Sequence, residues 1–206
     1  PSTAGDEIDL AIHTLLGLVD TTAATAFADL SIVDGEFDTD MGAMVAGLPL
    51  NEFATAVVAL VDHGLVEARL DRLRPYLMLE PIRAVGERLL EERGRRAQAN
   101  DRLVDACIAQ ARALHRAADV DPTGVEVRFG VDLPRHRAAL QHLALVGDAE
   151  RALSLVCRLE GPLYTLGWWD EKVELFDLAL SIPGPPTPMR ARAHAFRAPL
   201  PPEYQP

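Results

Sequence analysis

Ala59-Leu60-Val61-Asp62-His63-Gly64-Leu65-Val66-Glu67-Ala68-Arg69, followed by Pro75-Tyr76-Leu77-Met78-Leu79-Glu80-Pro81, decides how this chain folds. The first part closes a helical pattern over 50–62 (Phe53, Val57, Val58, Leu60, Val61), and Gly64 stands where a left-handed helix stop belongs. Two short β-like runs follow, 65–69 and 75–79, around the polar, arginine-rich connector 70–74. The pair reads as a hairpin with an irregular tip. Pro81 then opens another helix, because the first helical turn has no use for the N–H that proline lacks.

On the N-terminal side, helical spacing recurs over 7–17 (Ile8, Ala11, Ile12, Leu15, Leu16) and 20–30 (Ala23, Phe27, Leu30). Asp20-Thr21-Thr22 supplies cap chemistry for the second of these, and a short helix is expected over 39–46. The acidic run Asp34 to Asp40 resembles a calcium loop but fails its pattern. Counted from Asp34, the sixth and twelfth positions are Thr39 and Val45, where an EF-hand needs Gly and Glu. An acidic surface loop with an N-cap is expected instead.

On the C-terminal side, 81–118 reads as a long helix or a pair broken at Gly94, and Asp119 to Gly130 as a loop. Helices are expected near 134–146, 148–165 and 168–182, with another opening over 186–196. The pair within 148–182 has the shape of a helical hairpin repeat. Eight of the twenty-four residues from Pro183 to Pro206 are proline. The chain opens Pro1-Ser2-Thr3 without an initiator Met, so a fragment of a longer protein is expected.

Composition agrees with helices. Of 206 residues 49% are apolar but only 5% aromatic, which favours helix packing over a sandwich of strands. No apolar run approaches the roughly 20 residues of a bilayer span. Cys107 and Cys157 suit neither a metal knuckle nor a disulfide framework and are expected to be core thiols. A soluble, reduced, cytoplasmic setting follows as the expectation. The six histidines form no metal-ligand spacing, and no G-x-S-x-G elbow occurs. No catalysis and no metal are expected.

Charge is segregated. Residues 1–68 carry twelve acids and no Lys or Arg; 69–118 carry eleven Arg against seven acids; the rest holds nine cations and twelve acids, for a net −11. The helix over 50–62 would enter a DNA groove in a winged-helix protein, yet it offers Glu52 and Asp62 and no cation. Phosphate contacts rest on Lys and Arg, so direct DNA contact is not expected. Arg69, Arg72 and Arg74, at the hairpin, are the cations placed to meet a phosphate of nucleic acid or nucleotide.

Helices followed by a hairpin and a further helix outline a winged helix. The runs Leu30-Ser31-Ile32-Val33-Asp34-Gly35-Glu36-Phe37, Ala59 to Val66 and Tyr76 to Leu89 resemble the winged-helix region of bacterial STAND-type ATPase regulators, the AfsR-like and LuxR-type group of actinobacteria. Arg137-Ala138-Ala139-Leu140, Gly147 to Leu153 and Leu166-Gly167-Trp168-Trp169 are similar to the first tetratricopeptide-like helices of those proteins.

The expected fold class is thus mainly α: a winged helix with a two-stranded hairpin over 5–95, a helical bundle leading into tetratricopeptide-like hairpins over 97–196, and a Pro-rich disordered tail over 197–206. The resemblance implies a regulatory, non-catalytic segment. Its winged helix would act as a lid on an upstream ATPase module in cis, and its repeats would sense a protein or small-molecule inducer. ATP or ADP would belong to that upstream module, since the one lysine here, Lys172, follows Trp168-Trp169-Asp170-Glu171 and not a glycine-rich phosphate loop. By the same resemblance Met78-Leu79-Glu80 occupies the place of a Met-His-Asp nucleotide sensor. Leu79 cannot donate to a phosphate, which leaves Glu80, either capping the helix or holding Arg83. Trp168 and Trp169 are the candidate partner or ligand surface, one packed in the hairpin and the other facing outward, although burial of both between helices fits the sequence equally well. A stand-alone helical-repeat adaptor and a DNA-binding winged helix are the alternative functions.

Overall fold

The computed structural model describes residues 4–117 and 120–198. The chain is mainly helical and forms two compact units, Pro1–Ala106 and Cys107–Pro206. Among the described residues no single helix is long and apolar enough to cross a membrane.

The first unit contains α1 (Ala4–Leu16), α2 (Thr21–Leu30), β1 (Glu36–Phe37), α3 (Thr39–Ala46), α4 (Leu50–Asp62), β2 (Glu67–Ala68), β3 (Tyr76–Leu77), α5 (Glu80–Glu92) and the first part of α6 (Arg96–Ala117). Capping chemistry sets two helix starts. Asp20 accepts the Ala23 N–H at 2.7 Å and Asp38 the Met41 N–H at 2.8 Å, each satisfying a donor that the first turn leaves without a partner. Gly64 and Gly94 take left-handed φ values of 69° and 63°, ending the patterns before them as expected. Helix α2 lies at the centre, packed on α3, α4 and α5. Phe27, Leu30, Phe37, Met41, Phe53, Leu60 and Leu65 are sealed from solvent. Gly42 is required there, because a Cβ would sit 2.2 Å from the Phe53 ring.

The sheet differs from the expected two-stranded hairpin. It has three strands in the order β1-β3-β2, all antiparallel, with Glu36 and Glu67 both opposite Leu77, and Phe37 and Ala68 both opposite Tyr76. The run read as an acidic surface loop therefore supplies a strand. Phe37 is its apolar anchor, fully buried and 5.7 Å from the Tyr76 ring. The N-cap expected in that run is present, at Asp38.

The second unit contains the rest of α6, then α7 (Pro122–Val146), α8 (Ala149–Thr165), α9 (Trp169–Ser181) and α10 (Pro188–Arg197). The loop expected over Asp119 to Gly130 is corrected: α7 begins at Pro122. Asp121 caps it by accepting the Gly124 N–H at 2.9 Å, and Pro122 sits in the first turn, where it is pre-shaped for a helix. Pro134 lies inside α7 and removes one helical donor, that which would reach Gly130. Helices α7, α8 and α9 pack on one another and α10 packs on α8 and α9, around Phe129, Leu140, Leu143, Leu159 and Phe176. From residue 199 onward, the tail expected to be disordered lies outside the described residues.

Candidate functional site

The five candidate nucleotide-facing residues fall into two groups, and all but one of their arginines are matched to carboxylates nearby. On the hairpin, Arg69 donates Nε and Nη2 to the two carboxylate oxygens of Glu67 at 2.9 and 3.0 Å, with Glu36 3.6 Å away. That bond holds the Glu67 carboxyl below the usual range. Arg74 is buried and bound to Asp38, the same carboxylate that caps α3, so it ties the hairpin tip to a helix start. Arg72 is exposed, and among the described residues no carboxylate holds it.

At the start of α5, Leu79 occupies the N-cap position without a side-chain cap bond. Glu80 holds Arg83 through Oε2 at 2.9 and 2.6 Å. Arg83 also bonds Glu87 and reaches the Ser31 carbonyl at 3.5 Å, which fastens α5 to the end of α2. Of the two roles expected for Glu80, holding Arg83 is the one seen. Of the five, Arg72 alone presents a guanidinium not already matched to a carboxylate.

The outward face of α4 carries Asn51, Glu52, Thr55, Val58 and Asp62, with Leu50 at its start, and no cation. A groove of about 360 Å³ runs beside it, between Val61, Val66, Glu67, Leu79 and Ile82.

In the second unit Trp168 and Trp169 are both half-buried, so neither is a free outward ring nor a sealed core residue. Trp168 lies 5.3 Å from Phe129 of α7, and Trp169 meets Tyr164 edge-on at 5.3 Å. In the sequence Lys172 stands out only as the one lysine, outside any phosphate loop. The residue is largely buried, its ammonium lies 5.4 Å from the centre of the Trp169 ring, and burial pushes its pKa down against the opposing pull of Glu160. Both cysteines are buried, as expected, and burial pushes the Cys107 thiol up to about 12. A thiol so protonated is no nucleophile. Between the starts of α8 and α10 lies a cavity of about 710 Å³ walled by Leu153, Ser154, Pro185, Met189, Arg151 and Arg190. Asp148 engages Arg151 at 2.7 Å, and Arg190 donates to the Leu180 and Ile182 carbonyls at 3.1 and 2.8 Å.

One buried group escaped the sequence reading. Asp29, on α2, is fully buried and meets Arg95 at 2.7 Å and Arg102 at 3.3 Å. Its signal was present: an acid flanked by Ala28 and Leu30 on an otherwise apolar helix calls for a buried partner. No family model, curated protein or solved structure matches the chain. No group of His, Cys, Asp or Glu suited to a metal occurs among the described residues.

Proposed function

We propose that this chain is a regulatory, non-catalytic segment of a STAND-type ATPase transcriptional regulator. Its first unit is a winged helix that seats against an upstream nucleotide-binding module, and its second is a set of tetratricopeptide-like hairpins that receive an inducer or partner. The order α2-β1-α3-α4-β2-β3, with β1 joined to the hairpin through β3, supports the winged-helix reading.

The observation that carries the proposal is the face of α4. In a DNA-binding winged helix this helix meets phosphates, whereas here it offers Glu52 and Asp62 among neutral side chains. Such a face suits a protein surface, and it leaves Arg72 as the hairpin cation available to a nucleotide phosphate. In the second unit the cavity between α8 and α10 gives room for a small inducer, within the size range of ligand pockets. An inducer that binds one state better shifts the population toward it.

The test is release of a fluorescent ADP from the full-length protein. Arg72→Ala is expected to speed release more than Arg69→Ala or Glu80→Ala, whose partners lie within the chain. Unchanged release in all three variants would remove the lid role. A salt-sensitive shift of duplex DNA at physiological ionic strength would favour a DNA-binding winged helix instead. A native polypeptide near 22.4 kDa in cell extract would favour a stand-alone adaptor.

A further inference from the structure

Helix α6 is the element shared by the two units, since its residues up to Ala106 belong to the first and those from Cys107 to the second. Its first half is seated by the buried Ala99, Leu103, Val104 and Ala106 together with one carboxylate. Asp29 Oδ2 receives Nη2 of Arg95, from the turn before α6, and Nη1 of Arg102, from within it. Arg102 also donates to the Ala46 carbonyl at 3.4 Å, where α3 ends. Gly47 leaves the lane open for this guanidinium: a Cβ there would stand 2.4 Å from Arg102 Cζ. Beside these contacts Ala28, Leu90 and Ala99 form an apolar cluster with Ile32 and Leu89 at its edge.

Two features make this contact separable. The Asp29 side chain is 1% exposed and its Oδ1 accepts no hydrogen bond among the described residues, so the closed state holds a buried carboxylate that is only half satisfied. The side chains of Arg95 and Arg102 are each 28% exposed, so both guanidiniums already reach water and lose little when the contact opens. A permanent staple would satisfy both oxygens and bury both cations.

We infer that Asp29 is a releasable latch for α6. Closed, it holds Arg95 and Arg102 and seats the first half of α6 on α2, α3 and α5. Open, the arginines pass to solvent and that half of α6 comes free while α2, α3 and α4 stay folded. The inference stands whether or not a nucleotide-binding module precedes the chain.

Amide hydrogen exchange on the whole chain tests it. In Asp29→Asn, amides over 99–106 are expected to exchange at least tenfold faster, with those of α2, α3 and α4 unchanged. Equal acceleration through α2, α3 and α4 would make Asp29 an ordinary fold residue and overturn the latch, as would unchanged exchange over 99–106. If Asp29→Asn yields no folded protein, Arg102→Gln, at a partly exposed position, carries the test: local acceleration over 99–106 upholds the latch, and its absence or a spread into α2, α3 and α4 overturns it.

Discussion

The two units bury ion pairs of different sequence separation. In the first, Asp29 meets arginines 66 and 73 positions further along the chain, so its ion pairs define a tertiary contact. In the second, Asp132 and Arg135 are equally sealed from solvent but stand one turn apart on α7, 3.4 Å from each other. Asp132 and Arg135 also act on the Cys107 thiol of α6, so the influence of that pair is not confined to one turn. Buried ionic contacts are poor sources of net stability but are costly to break from one side, and for Asp29 that cost falls on the seating of α6.

The sharpest way to break this comparison is to damage each core separately. Phe53→Ala and Phe176→Ala remove fully buried rings, and each is expected to cost about 3–5 kcal/mol. Both tryptophans lie in the second unit, so their fluorescence reports unfolding there while far-ultraviolet circular dichroism reports both units. Phe53→Ala should lower part of the dichroism transition and leave the fluorescence transition in place; Phe176→Ala should lower the fluorescence transition. Equal movement of the fluorescence transition in both variants would show that the units unfold as one. Gly42→Ala attacks the same Phe53 ring by overpacking, and about 1–3 kcal/mol of destabilisation is expected, read in the dichroism transition.

Smaller effects sharpen the contrast. Asp148 caps α8 through the Arg151 N–H at 3.0 Å, and Asp148→Ala should cost about 1 kcal/mol, read in the fluorescence transition. Burial pushes the Asp148 carboxyl up, but the Arg151 amide and guanidinium prevail and hold it below the ordinary aspartate range. Its contribution is therefore present above the ordinary aspartate pKa and lost as pH falls through the lowered value. The midpoint gap between the native chain and Asp148→Ala should shrink on acidification. Asp29 has the reverse sign. Burial raises its pKa against the pull of Arg95, Arg102 and Arg93, so folding favours its protonated form. Stability of the native chain relative to Asp29→Asn should be greatest below the ordinary aspartate pKa and decline as pH rises through the raised value, read in the dichroism transition. Gaps that move together with pH would remove the distinction between the two carboxylates.

The sequence made most helices legible because caps and stops punctuate them: Asp20 before α2, Asp38 before α3, Gly64 after α4, Gly94 between α5 and α6. The same chemistry misled at Asp121-Pro122-Thr123-Gly124, whose residues serve a turn or a helix start equally well, and only tertiary packing of Val125 and Phe129 decides. Strand β1 was hidden because a two-residue strand has no alternation to read. At the candidate site, residue types near the hairpin were legible but their partners were not. That Arg69 and Arg74 are spent on Glu67 and Asp38, leaving Arg72, depends on strand register and on the Asp38 cap, neither of which periodicity encodes.

The burial of Lys172 has a consequence for chemical modification. It is the only lysine in the sequence, the residue is 5% exposed, and its amine lies 5.4 Å from the centre of the Trp169 ring. An acyl-transfer enzyme or an amine-directed crosslinker therefore has a single lysine to reach, and on the folded chain most of that side chain is covered. Faster acylation at Lys172 would mark molecules in which α9 had come away, a covalent record of opening kept by a single atom.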